Sequence, residues 1–115
     1  MNVSTREVDG VTILDLHGTL VAGVGDEVLR EAVNRLLAAD HRRILLNLAE
    51  VTRLDSAGVG ELVASWKLAA RFGAQIKLLR PGDRVRSTLH LAQVLPLVEV
   101  FEEEAEAVQS FGRSG

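Results

Sequence analysis

The 115-residue chain predicts an α/β domain with a mixed, mostly parallel sheet of about five strands, an N-terminal hairpin and about four helices. Three observations carry that expectation. Asp9-Gly10 separates two extended runs, which is the signature of a two-residue hairpin. From residue 26 onward, stretches with helical spacing alternate with short runs of Leu, Ile and Val. One of these, "RRILLNLAEV", is apolar through its middle, as a strand covered on both faces must be.

Each element has its own warrant. In the second arm of the hairpin Val11, Ile13, Leu14 and Leu16 are apolar while Thr12, Asp15 and His17 are polar, and its β-branched content suits a strand. "GTLVAGVG" reads as a loop. In "DEVLREAVNRLLAAD" the residues Val28, Leu29, Ala32, Val33, Leu36 and Leu37 fall on one helical face, and Asp26 and Glu27 suit the positive end of the helix dipole. A second helix starts near Ser56, carries Val59, Leu62, Val63, Trp66 and Ala70 on one stripe, and stops at Gly73. "AQIKLLR" is a strand, Pro81-Gly82-Asp83 turns into "DRVRSTLHLAQV", and "PLVEVF" reads as a last strand before the acidic helix "EEEAEAVQSF". With no linker or repeat, residues 1–111 form one domain and 112–115 a disordered tail.

Composition narrows the function. The net charge is −3, no basic block is longer than Arg42-Arg43, and aromatics are 3% of the chain, so neither phosphate backbones nor stacked bases find a binding surface. The absence of cysteine excludes disulfides and thiol chemistry and fits a cytoplasmic location. No apolar run approaches the roughly 20 residues that a membrane span needs, and "MNVSTREVDG" lacks the apolar centre of a secretory signal. His17, His41 and His90 lack metal-ligand spacing, so neither a metal nor a cofactor is expected.

The stretch that asks for a chemical explanation is "TRLDSAGVGEL", Thr52 to Leu62. It places Ser56 between a strand and a helix, where unpaired first-turn amides favour negative charge. Gly58 and Gly60 weaken the first helical turn and leave room for a close approach by another molecule. An ordinary N-cap by Asp55 or Ser56 explains the same residues. A nucleophile elbow fits less well: Gly58 matches the second glycine of G-x-S-x-G, but Leu54 occupies the place of the first, and Asp83 and His90 downstream are residues that chance supplies easily. There is no phosphate-binding G-x-x-x-x-G-K-[ST] motif.

"NLAEVTRLDSAGVGELV" resembles the signature segment of STAS domains, in particular the bacterial anti-sigma-factor antagonists. Asn47-Leu48 and Asp55-Ser56-Ala57-Gly58-Val59-Gly60 fit the family pattern position by position, Gly18-Thr19-Leu20 is similar to its Gly-Glu-Leu, and "LLRPGDRVRSTLHLAQVLPLVEVFEEEAEAV" is similar to its C-terminal half. The resemblance implies a non-enzymatic, phosphorylation-switched binding module. Ser56 would be the phosphoacceptor and Asp55 to Gly60 the partner-binding segment. The unphosphorylated form would bind an anti-sigma factor that is also a serine kinase, phosphorylation would release it, and a serine phosphatase would reset the switch. Thr19 and Val21 depart from the pattern, where Glu and Asp are usual. That departure keeps open a second role, as a STAS subunit or scaffold of a stress-signalling or lipid-transport complex that works without phosphorylation.

Overall fold

The computed structural model describes residues 1–112. Its elements are β1 (Asn2–Val8), β2 (Val11–Leu20), α1 (Asp26–Ala38), β3 (Arg43–Leu54), α2 (Ser56–Arg71), β4 (Gln75–Leu79), α3 (Asp83–Leu91), β5 (Val100–Phe101) and α4 (Glu104–Ser110). The strands lie in the order β1-β2-β3-β4-β5, with β1 antiparallel to β2 and every later pair parallel. Asp9 and Gly10 both take positive φ, 49° and 81°, as the tight turn between β1 and β2 requires.

The helices divide unequally between the two faces of the sheet. Leu14, Leu16, Ile44, Leu46, Leu48, Ile76 and Leu78 pack under α1, α2 and α3, which supply Leu29, Val33, Leu62, Ala69 and Leu89 among others. The opposite face carries a smaller core of Val11, Ile13, Leu45 and Leu79, closed by Ala107, Val108 and Phe111 from α4 and its end. Strand β3, in the middle of the sheet, contributes to both clusters, and that accounts for its nearly continuous apolar run. Lys77 is buried on the α4 side. Its ammonium donates to the Ser110 carbonyl at 2.9 Å and the Ser110 hydroxyl at 3.0 Å, pairs with Glu99 at 3.3 Å, and lies 4.6 Å from the Phe111 ring. A cation so placed holds the last turn of α4 against the sheet.

Several boundaries differ from the expectation. Gly18-Thr19-Leu20 belongs to β2, because parallel pairing with β3 continues as far as Leu20–Leu54. The last strand shrinks to Val100–Phe101, since residues 95–98 form a turn in which Leu97 and Val98 donate to the Val94 carbonyl. On α2 the buried face is Val59, Glu61, Leu62, Ser65 and Ala69, so Ala70 is exposed and Trp66 only half-buried against the core. Buried Glu61 is neutralised by Arg30 of α1, whose Nη2 lies 2.7 Å from its carboxylate. The acidic helix begins at Glu104, which pairs with Arg6, while Glu102 ahead of it pairs with Arg86. Of the expected disordered tail, residues 113–115 lie outside the described residues, whereas Gly112 donates to the Gln109 carbonyl.

Arg6 links three elements. Its guanidinium donates to both oxygens of Asp15 on β2, at 2.7 and 3.2 Å, and to both oxygens of Glu104 on α4, at 3.0 and 2.6 Å. These bonds hold the Asp15 and Glu104 carboxyls below the usual carboxylate range. A carboxyl depressed in the folded state contributes stability above its unfolded pKa of about 4, and loses it as pH falls through the lower folded value. Arg6→Ala should therefore lower the midpoint of urea unfolding at pH 7. The difference from the unsubstituted chain should shrink as the pH is taken down through and below about 4, and a pH series of unfolding curves checks it.

Candidate functional site

Strand β3 delivers Ser56 to one end of the sheet, and it reaches that point by two irregularities. Along β2, Asp15 pairs with Asn47 but His17 pairs with Glu50, and Gly18 pairs with Val51 but Thr19 with Arg53, so β3 carries one extra residue in each interval. Side chains hold both. The Asn47 side-chain oxygen accepts from the Ala49 amide at 3.1 Å while its Nδ2 donates to Asp15 at 2.7 Å. The Thr52 hydroxyl donates to the Gly18 carbonyl at 3.3 Å. Bulges of this kind bend a strand and re-aim the residues beyond them. Asn47 in the sequence signature is thus a structural residue, joined to Arg6 through Asp15.

The strand ends at Leu54 and α2 begins at Ser56. Asp55 between them has extended backbone, and its Oδ1 accepts from the Gly58 amide at 2.9 Å, a capping bond of the usual kind. Its Oδ2 accepts from the Ala22 amide at 3.1 Å, in the connection between β2 and α1. These amides, Gly58 first, hold the Asp55 carboxyl below its ordinary range, so it is ionised at neutral pH. The connection is itself a tight turn, closed by reciprocal bonds of 2.9 Å between the Val21 and Val24 backbones.

The two glycines of the segment differ in kind. A Cβ on Gly58 would lie 2.1 Å from the Leu20 carbonyl oxygen and 2.7 Å from the Leu54 side chain, so the close approach at this position is made by the chain's own β2. The expectation that Gly58 clears room for a second molecule is corrected on that ground. Gly60 is exposed, with nothing within 4 Å of the place a Cβ would take. Ser56 is exposed too, and four residues apart on a helix the two share one face. Asp55 and Ala57 are half-buried, while Gly58 and Val59 are buried beneath them.

The other residues considered for chemistry do not converge here. Asp83 and His90 line a separate surface hollow on α3 with Arg86, Ser87 and Leu95. His41 is engaged with the Thr12 hydroxyl at 2.7 Å, at the end of β2 away from Leu20. Thr19 lies within β2 and Val21 within the tight turn. Sequence reading missed the roles of Asp15, Thr52 and Ala22, and only the polar Asp15 in an apolar strand gave any signal.

The two glycines yield opposite expectations for stability. Gly58→Ala should destabilise the chain by about 3 kcal/mol, because the methyl group meets backbone that cannot move aside. Gly60→Ala should stabilise it by about 0.5–1 kcal/mol, the ordinary helix preference of alanine over glycine. Urea unfolding of the two variants checks both signs.

Comparison with known proteins agrees with this architecture. The STAS domain model matches residues 2–107. A candidate anti-sigma factor antagonist from Thermotoga maritima superimposes with a TM-score of 0.83 at 22% identity, over 96% of this chain and 95% of its own. An anti-sigma factor antagonist from Mycobacterium paratuberculosis gives 0.84 at 18% identity, over 95% and 92%. The Bacillus cell fate determinant SpoIIAA in its phosphorylated form gives 0.72 at 19% identity, over 96% and 99%. At these identities the likeness is one of fold. No described helix is long and apolar enough to cross a membrane. Matched along nearly its whole length and built on the same sheet, the chain belongs to the STAS domain family.

Proposed function

We propose that this chain is a cytoplasmic anti-sigma-factor antagonist, a protein-binding module switched by phosphorylation of Ser56. The observation that carries the reading is the exposed Ser56 hydroxyl on the first turn of α2, sharing its face with the open Gly60 position. A partner's backbone can approach that face without meeting a side chain at residue 60. Asp55, Ser56, Ala57 and Gly60 supply the contacts, with Gly58 and Val59 supporting them from below.

The partner is an anti-sigma factor with serine kinase activity, and it supplies ATP and magnesium. The Ser56 oxygen attacks the γ-phosphorus, an O–P bond forms, the bond to the bridging oxygen breaks, and ADP leaves while the hydroxyl proton passes to a base on the partner. The product carries about −1.5 to −2 added charge at pH 7. Water solvates that charge on the free domain. In a closed interface the same charge loses its water, and the complex is disfavoured unless a cation faces it. A serine phosphatase hydrolyses the ester and restores the binding form. The domain is a substrate and a binder, with no transfer chemistry of its own.

A second reading, a subunit or scaffold that works without phosphorylation, draws on Val21, which puts an apolar side chain where the resemblance leads one to expect a carboxylate. Its partner would be a transporter ATPase or a signalling scaffold, and purification of the native complex separates the two.

Incubation with the cognate kinase and ATP, followed by mass spectrometry, should show one phosphate on the unsubstituted chain and none on Ser56→Ala. Equal incorporation in both removes Ser56 from its role. Ser56→Asp should weaken kinase binding by about tenfold or more, equivalent to at least about 1.4 kcal/mol. Its melting temperature should stay within about 4 °C of the unsubstituted value.

A further inference from the structure

We propose that Asp55 is a positioning residue that couples the phosphorylation state of Ser56 to the order of the neighbouring turn, Val21 to Val24. The inference deepens the function proposed above and rests on Ser56 being the modified residue.

The turn hangs between two fixed points. On one side Leu20 is pressed against Gly58, and on the other Gly25, with φ of 97°, sits so close to the Thr19 carbonyl that a Cβ would lie 2.3 Å from it. Between them the Val21–Val24 bonds close the turn on itself, and the bond from the Ala22 amide to Asp55 Oδ2 ties its tip to the start of α2. Ala22, Gly23 and Val24 are exposed, so packing adds little to that tie. The other oxygen of the same carboxylate caps the helix through Gly58. One ionised group thus serves its own helix and a turn 33 residues earlier in the chain.

A phosphoryl group on the next residue acts on this group in two ways. It places like charge beside an ionised carboxylate, which disfavours both. It also brings strong acceptor oxygens to the same first-turn amides that the carboxylate uses. The helix then keeps a cap, supplied by phosphate, while the hold on Ala22 weakens and the tip of the turn is released. The switch would therefore change the shape of the surface next to Ser56 as well as its charge.

The test is amide hydrogen exchange by NMR on the full chain, with phosphoserine built into position 56 during translation, so that the result does not depend on any kinase. Phosphoserine should speed exchange of the Ala22 amide by about tenfold, the loss of one hydrogen bond, while amides in the middle of α2 keep their rates. Asp55→Ser keeps a capping oxygen but cannot span to Ala22, and should speed Ala22 exchange by a similar factor without phosphate. Asp55→Asn is a second variant of the same shape with one acceptor oxygen in place of two, and should do the same. In either variant background phosphoserine should add nothing further at Ala22, which a merely structural cap would not produce. An Ala22 rate unmoved by phosphoserine, or a phosphoserine effect that persists at full size in Asp55→Ser, overturns the coupling. Neither outcome bears on whether a kinase modifies Ser56, which the mass-spectrometric experiment decides separately.

Discussion

The end of β2 and the start of α2 meet with no side chain between them. Leu20 offers its carbonyl to a helix whose third residue has no Cβ, and almost everything at the candidate site depends on that contact. Because the two backbones touch, the carboxylate of Asp55 is within reach of both the helix it caps and the turn that leaves β2. Because α2 is pinned at its first turn, Ser56 and Gly60 face outward in a fixed direction. A glycine that weakens a helix by propensity thereby fixes its position by packing.

Behind that contact lies the bent strand that makes it possible. Two extra residues in β3 change its path relative to β2, and a side chain holds each, Asn47 at one and Thr52 at the other. Asn47 leads to Asp15, and Asp15 to Arg6, which in turn reaches Glu104 on α4. Asn47, Asp15, Arg6 and Glu104 form one network, anchored at the strand that presents the serine and ending on the C-terminal helix. Its members are partly exposed, so its contribution is to geometry more than to stability.

The architecture could be read from periodicity and turn chemistry because each local signal agreed with the whole. Asp9-Gly10 called for a hairpin and took the positive φ values that hairpins need, and the alternation after residue 26 could close only as a parallel sheet with crossover helices. The start of α2 at Ser56 was legible as well. What could not be read was any relation across the chain. Nothing in the sequence says that Gly58 faces Leu20, so its absent side chain looked like an invitation to a visitor. The second bond of Asp55 runs to a backbone amide, which every residue but proline carries, and so leaves no mark on residue choice at Ala22. Leu97 and Val98 suggested a longer strand, yet in register with β4 only Val100 and Phe101 pair, with Glu99 adding its carbonyl to the Leu78 amide.

Lys77 shows how the C-terminal helix is written into the sheet. Its ammonium is enclosed by Ser110, Glu99 and the rings of Phe101 and Phe111, so cutting the chain ahead of Ser110 would strip a sequestered cation of two of its oxygen acceptors and the nearer ring. A tag, a fusion partner or a reporter domain therefore belongs after residue 111, where the sheet's deepest positive charge has already been satisfied.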